Sequence, residues 1–154
     1  MGPMNNPVYL IQHLAGVLSK QSERLLQDEL GIGYSQFRIL MVLEWNPRVS
    51  QRSIAASLGQ TEASVSRQIR VLQRDGLLTS KADPENRRRH ITTPTPKGMQ
   101  LTESANAILR RHFGSELGVL DEEQFTQLMQ NLQKLHTAVC RRGRAGACDH
   151  PLGL

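Results

Sequence analysis

Aromatic residues are scarce in this chain, and the shortage fixes how a core must be built. One Trp, two Tyr and three Phe among 154 residues leave the interior to aliphatic side chains. Cysteine is equally sparse, with only Cys140 and Cys148, both near the C-terminus. In a chain without a secretory leader, two such cysteines are expected to be reduced thiols. No apolar run reaches the roughly 20 residues that a membrane-spanning helix needs. The opening stretch MGPMNNPVYL has neither the charged nor the apolar segment of a signal peptide. Gly2 does not begin a myristoylation motif either, because Asn6 stands where Ser or Thr is required. These absences predict a cytoplasmic protein with no membrane partner. A glycine-rich phosphate loop, an H-E-x-x-H helix and a nucleophile elbow are also missing. Asp121, Glu122 and Glu123 do cluster, but at the start of a helix, where capping accounts for them. The expectation is therefore a protein that is not an enzyme and that carries no cofactor.

What is present is a strong asymmetry of charge. The net charge is +5, yet residues 48–97 alone hold ten Lys/Arg against four Asp/Glu, while the remainder is close to neutral. A central basic block between two near-neutral arms is the pattern of a polyanion-binding module set in a larger scaffold. No basic amphipathic helix with aromatic anchors appears, which argues against a membrane-surface role. A chain of this length buries about 70% of its unfolded surface, so residues 1–154 are expected to form one domain.

Hydrophobic periodicity predicts a mainly α fold with one β-hairpin. Leu10/Ile11, Leu14, Val17/Leu18 and Leu25 mark a first helix from Pro7 to Leu30, stopped by Gly31-Ile32-Gly33. Ser35 is expected to cap a second helix carrying Phe37, Ile39/Leu40 and Leu43, which ends near Asn46-Pro47. Ser50 begins a short third helix with Ile54, Ala55 and Leu58 inward and Gly59 as its stop. Thr61 caps a fourth, TEASVSRQIRVLQRDG, whose stripe is Val65, Ile69 and Leu72. LLTSKA and RRHITT then read as two strands around the turn DPEN. Thr95-Pro96 restarts a helix to about Leu117, because Pro is tolerated at the first helical position. Asp121 and Gln124 form a capping box. The last helix carries Phe125, Leu128/Met129, Leu132, Leu135 and Val139. Residues 143–154 lack periodicity and read as a flexible tail.

Helix, tight turn, helix and hairpin over residues 50–93 describe a winged helix-turn-helix. A major groove admits one α-helix, so the second helix of the pair must pack one face and show polar groups on the other. With Val65, Ile69 and Leu72 buried, the outward residues include Ser64, Ser66, Arg67, Arg70 and Arg74. Short hydroxyls let the backbone approach the duplex, and arginines one turn on reach guanine edges or phosphates. An ordinary solvated arginine face is the competing explanation, weakened by the hairpin and by the confinement of charge.

The stretch SQRSIAASLGQTEASVSRQIRVLQRDGLLTSKADPENRRRHITTPTPKG resembles the MarR-type transcriptional regulators. VSRQIRVLQRDGLL is similar to the end of that family's recognition helix, DPENRR to its D-x-x-D-x-R wing, and TPKG to the Thr-x-Lys-Gly of the next helix. The resemblance spans residues 7–142. It implies a homodimer in which helices of segments 7–33 and 96–142 interlock, with residues 34–95 as the DNA-reading lobe. The apolar faces of the flanking helices independently exceed what one small winged lobe needs. By the same resemblance, Asp83 would hold the geometry of the wing arginine, Arg88 would enter the minor groove, and Arg87 or Arg89 would contact phosphate. Asn86 departs from the pattern, where a second acid is usual, and Thr93-Pro94 makes the exit strand atypical.

The resemblance further implies a repressor of a pseudo-palindromic operator that releases double-stranded DNA when a small molecule arrives, for instance an aromatic or phenolic acid. His13, Tyr34, Arg38, Arg111 and His112 are the candidate lining residues for such an effector. Relatives that sense peroxide use a cysteine near the N-terminal helix, and none precedes Cys140 here. A thiol switch at Cys140 and Cys148 is thus a lesser alternative. His136, Cys140, Cys148 and His150 contain metal-ligand types but match no compact zinc spacing, so no metal is expected. Another reading keeps the winged helix but docks its basic face on an acidic protein partner.

Overall fold

The computed structural model describes residue 2 and residues 5–140. Six helices and one hairpin follow in order: α1 (Pro7–Leu30), α2 (Tyr34–Trp45), α3 (Gln51–Leu58), α4 (Glu62–Arg74), β1 (Leu78–Ala82), β2 (His90–Pro94), α5 (Pro96–Leu117) and α6 (Glu122–Val139). The strands pair antiparallel, with Leu78 opposite Pro94 and Ala82 opposite His90. Mainly helical architecture with a small β-hairpin wing is therefore what the sequence pattern leads to. Among the described residues no helix is long and apolar enough to cross a membrane.

Local chemistry explains most helix starts. The first N–H groups of a helix lack intrahelical acceptors, and a short polar side chain just before them supplies one. Ser50 Oγ accepts the Ser53 N–H at 3.0 Å and Thr61 Oγ1 accepts the Ser64 N–H at 3.1 Å. Thr95 Oγ1 takes the Gly98 N–H at 3.1 Å. Asp121 and Gln124 exchange two bonds of 2.8 and 3.0 Å, a complete capping box. Helix α2 differs from expectation, because Ser35 lies inside it and does not cap it. Its first amides are met instead by Gln36 Oε1, which accepts from Gly33 N–H, and by Glu23 Oε2 of α1, which accepts from Tyr34 N–H at 2.7 Å.

The core sits where α2 passes between α1, α3, α4 and α5. Leu26, Ile39, Leu40, Leu43, Ile54, Val65 and Leu72 are its largest fully buried side chains. Five residues of α2 are buried, on more than one face of the helix. Such a helix serves as the lobe's axle, since each aliphatic side chain taken fully from water contributes roughly 1.5–3 kcal/mol. α6 is the opposite case, with no buried residue along its length.

The second strand begins later than the sequence pattern indicates. Arg88 and Arg89 belong to the turn, and β2 starts at His90. Turn chemistry extends this far because the backbone closes on itself between residues 83 and 89. Asp83 N–H donates to Arg89 O at 2.9 Å, and Arg89 N–H donates to Asn86 O at 2.8 Å. Pro94 is tolerated because it ends the strand, and the next residue, Thr95, donates its own N–H to Leu77 O at 3.0 Å.

Candidate nucleic-acid interface

Helix α4 buries Val65, Ile69 and Leu72 against the core. At roughly 100° per residue, the line farthest from that stripe carries Arg67 and Arg74, about 10 Å apart along the axis. Arg67, Arg70 and Arg74 are all exposed. Arg70 folds back one turn, its Nε 3.4 Å from Ser66 O and its Nη2 3.5 Å from Ser66 Oγ. Arg74 reaches its neighbour Asp75 at 3.0 Å. Arg67 has no ion pair among the described residues.

The two serines do not share a side. Ser66 stays on the flank with Arg70, whereas Ser64 turns into a ladder of amides and hydroxyls. Gln68 Nε2 donates to Gln60 Oε1 at 2.7 Å and to Ser64 Oγ at 3.3 Å, and Gln60 Nε2 donates to Ser35 Oγ at 2.6 Å. This ladder joins α4 to α2 across the tight turn. Ser64 is thereby engaged in holding α4 in place, a use that helical spacing alone does not reveal.

At the wing, Asp83 is only 4% exposed. Its carboxylate does not meet a wing arginine, as the resemblance implied. One oxygen accepts Glu85 N–H at 2.9 Å, and the other lies 3.7 Å from Arg48 Nε, in the α2–α3 loop. Arg89 points to the same loop and donates to Arg48 O at 3.3 Å. Arg87 and Arg88 remain exposed at the tip with no ion pair among the described residues. Asn86 Oδ1 accepts the Arg88 N–H at 3.1 Å and so shapes the turn that presents this arginine.

The start of α5 grips the far end of α4. Terminal carbonyls of a helix have no intrahelical donors, and a cation there also suits the helix dipole. Lys97 Nζ donates to Asp75 O at 3.0 Å, and Thr95 Oγ1 donates to Gly76 O at 2.6 Å. Gly76 itself has φ +74°, a left-handed conformation that breaks the helix and releases the chain into β1. Gly98 packs directly on the carbonyl of Leu77, leaving no room for a Cβ. The run Thr95-Pro96-Lys97-Gly98 is thus a latch between α4 and the long helix α5. A cleft of about 370 Å³ lies beside the latch, lined by Leu30, Ile32, Leu72, Leu77, Lys97 and Leu101 among others.

Within one chain the five effector candidates fall in three separate places. His13 stacks on Tyr9 with ring centroids 6.0 Å apart. Tyr34 lies under the Arg38 guanidinium at 5.7 Å, and Arg38 Nη2 donates to Ser57 O at 3.3 Å. Arg111 and His112 line a groove with Leu25 and Glu29, where His112 Nε2 is 3.3 Å from Glu116 Oε1. Their contacts therefore do not join the five into one cluster within a single chain. Cys140 forms the C-terminal cap of α6. Cys148, His150 and the tail 143–154 lie outside the described residues, as do residues 141–142 of the expected dimerisation segment. Among the described residues no group of three or more His, Cys, Asp or Glu could hold a metal ion.

Known proteins share this fold. The sequence profile of the MarR family matches residues 30–89, from the end of α1 to the wing arginines. The HTH-type transcriptional regulator BilQ of Clostridium symbiosum (strain WAL-14163) is 31% identical over 110 residues, covering 71% of this chain and 76% of that protein. The crystal structure of a MarR/EmrR family transcriptional regulator from Acinetobacter sp. ADP1 superimposes with a TM-score of 0.76 at 26% identity, over 90% of this chain and 98% of that one. A MarR family protein of Mycobacterium tuberculosis in complex with salicylic acid gives a TM-score of 0.73 at 25% identity, over 84% and 96% of the two chains.

Proposed function

The chain belongs to the MarR family of transcriptional regulators, and on that premise we propose that it represses by holding a pseudo-palindromic operator as a homodimer. The observation that carries this reading is the exposed row Arg67, Arg70 and Arg74 on α4, set beside a wing tip whose Arg87 and Arg88 are unpaired among the described residues. In this reading α4 enters the major groove, with Ser66, Arg67 and Arg70 toward base edges and Arg74 toward phosphate. Arg88 probes the adjacent minor groove and Arg87 meets the backbone. Arg89, drawn to the Arg48 carbonyl, takes a smaller share than its neighbours. Asp83 acts from inside the wing, through the fold of the turn.

Dimerisation is supported by the exposed apolar faces of α1 and α6, and two-fold symmetry sets half-sites about 10 base pairs apart. Release by a small aromatic or phenolic acid is supported by the salicylic acid complex of the mycobacterial relative. The cleft beside the latch gives such a ligand a route to the recognition helix, because its walls come from α1, α4 and α5 together.

The test is selection of bound duplexes from a random library, followed by titration of the selected site, a scrambled duplex and the Arg88→Ala variant. Selective binding is expected, since each wrong base pair costs about 1–3 kcal/mol. Arg88→Ala is expected to lose at least about tenfold in affinity at physiological salt while the dimer persists. Equal affinity for selected and scrambled duplexes would replace base reading with a general acidic partner. Unchanged affinity of the variant would remove Arg88 from the groove.

A further inference from the structure

Arg48 is absent from the sequence-derived binding set, yet the wing is built around it. It lies in the loop between α2 and α3, 35 residues before Asp83. Its Nε is 3.7 Å from Asp83 Oδ2 and its Nη2 is 3.7 Å from Glu85 Oε2. Its carbonyl accepts Arg89 Nη2 at 3.3 Å, and the preceding carbonyl, of Pro47, accepts Thr92 N–H at 3.3 Å. The α2–α3 loop therefore holds both the turn of the hairpin and its second strand.

These contacts differ in weight. The side chain of Glu85 is 77% exposed, so its pair with Arg48 is screened by water. Asp83 is buried, and Arg48 is its only ion-pair partner among the described residues. A carboxylate in that position needs the cation, because an uncompensated buried charge is strongly unfavourable. The middle of strand β1 is tied to α4 separately, through Gln73 Nε2 to Ser80 Oγ at 2.7 Å. The wing thus has two anchors: Gln73 fixes the middle of β1 to α4, and Arg48 fixes the turn to the lobe.

We infer that Arg48 is a positioning residue for DNA recognition, setting the wing's angle to α4 through Asp83 while its own charge is satisfied by carboxylates. This rests on the DNA-reading role proposed above for Arg88. Arg89, of the three consecutive arginines, bonds to the same loop through the Arg48 carbonyl.

Two measurements on the full chain separate the clamp from the DNA-binding reading. In the first, amide hydrogen exchange is followed without DNA. Arg48→Ala is expected to speed exchange at Arg89 and Thr92 and to leave Ile69 and Leu72 of α4 protected. In the second, a double-mutant cycle on affinity for the selected operator combines Arg48→Ala with Asp83→Asn. Each single change is expected to cost about tenfold, and the double change no more than the worse single one, because both act through one contact. Should Arg48→Ala fail to fold, Arg48→Lys replaces it in both measurements. It keeps the charge without the planar fork and is expected to give an intermediate loss. Unchanged wing exchange overturns the clamp even if the protein binds no selective duplex. Additive losses in the cycle, or unchanged affinity with a loosened wing, overturn the positioning role and leave DNA reading by α4 intact.

Discussion

Between Tyr34 and Pro94 the large aliphatic side chains turn inward, and Ile39, Leu40, Leu43, Ile54, Val65 and Leu72 are all closed off from water. Along α1 and α6 the same residue types lie open. Val8, Tyr9, Ile11, Leu14, Val17 and Leu18 of α1 are 38–62% exposed, and Phe125, Leu128, Met129, Leu132, Leu135 and Val139 of α6 are 37–62% exposed. Helical periodicity is equally clear in both regions. What differs is whether a second surface within the same chain covers the stripe. The reading lobe supplies its own, with α2 as the shared wall. Among the described residues the outer helices have no such cover, and contiguous apolar surface beyond a few hundred Å² is rare on a protein that works as a monomer. A sequence stripe therefore reports that a face is to be buried, and only the fold reports by what.

Charging the α6 face gives the largest expected effect and breaks this comparison at its open end. Leu128→Asp with Leu132→Asp should convert a dimer to single chains in sedimentation equilibrium, while the helical content of the lobe stays in place. Preference for two half-sites over one should vanish with it. A dimer that survives both charges would assign the exposed stripe to something other than self-association.

Gly98→Ala tests the joint between the two regions. The added Cβ would meet the Leu77 carbonyl, backbone that cannot swing aside, so α5 must lift from the end of α4. Overpacking of this kind costs about 1–3 kcal/mol, to be read from the urea midpoint. Because Thr95 and Lys97 bond Gly76 and Asp75 from the same first turn, operator affinity should fall as well. Loss of stability with full affinity would mean that α5 does not orient the recognition helix.

Local chemistry was the legible part of this molecule. Ser50, Thr61, Thr95 and Asp121 cap the helices that follow them, each within three residues. The buried stripe of α4 follows from spacing alone. Misreadings arose where a residue's partner is distant in sequence. Ser35 has the chemistry of a cap, but Gln60 occupies its hydroxyl, and the amides at the start of α2 are served by Gln36 and Glu23. Ser64 belongs to the same ladder. Asp83 was identified as a wing support, yet its partner Arg48 stands beyond two helices in the sequence. The effector candidates follow from the cleft that the resemblance puts between dimer helices and lobe, and within one chain His13, Tyr34 and His112 keep separate partners.

Asn86 offers the smallest and sharpest test, at the tip of the closed region. The resemblance places an acid here, and an amide could be taken for a weakened wing. In the structure the position works as an acceptor: Asn86 Oδ1 takes the Arg88 N–H at 3.1 Å, and the residue's own carbonyl takes the Arg89 N–H at 2.8 Å. A carboxylate can accept the same bond, so Asn86→Asp should keep the turn and change stability by no more than about 0.5 kcal/mol. Its added negative charge sits beside Arg87 and Arg88 and should reduce operator affinity by less than about threefold, an effect that shrinks as salt is raised. Asn86→Ala removes the acceptor without adding charge. At this exposed site water takes over part of the bond, so the cost should stay near the lower end of about 0.5–1.5 kcal/mol. The informative outcome is the order of the two variants in operator affinity at high salt. If the amide serves as an acceptor, Asp outperforms Ala there, because the turn that presents Arg88 survives. Equal losses would show that Arg48 and Asp83 hold the tip without help from residue 86.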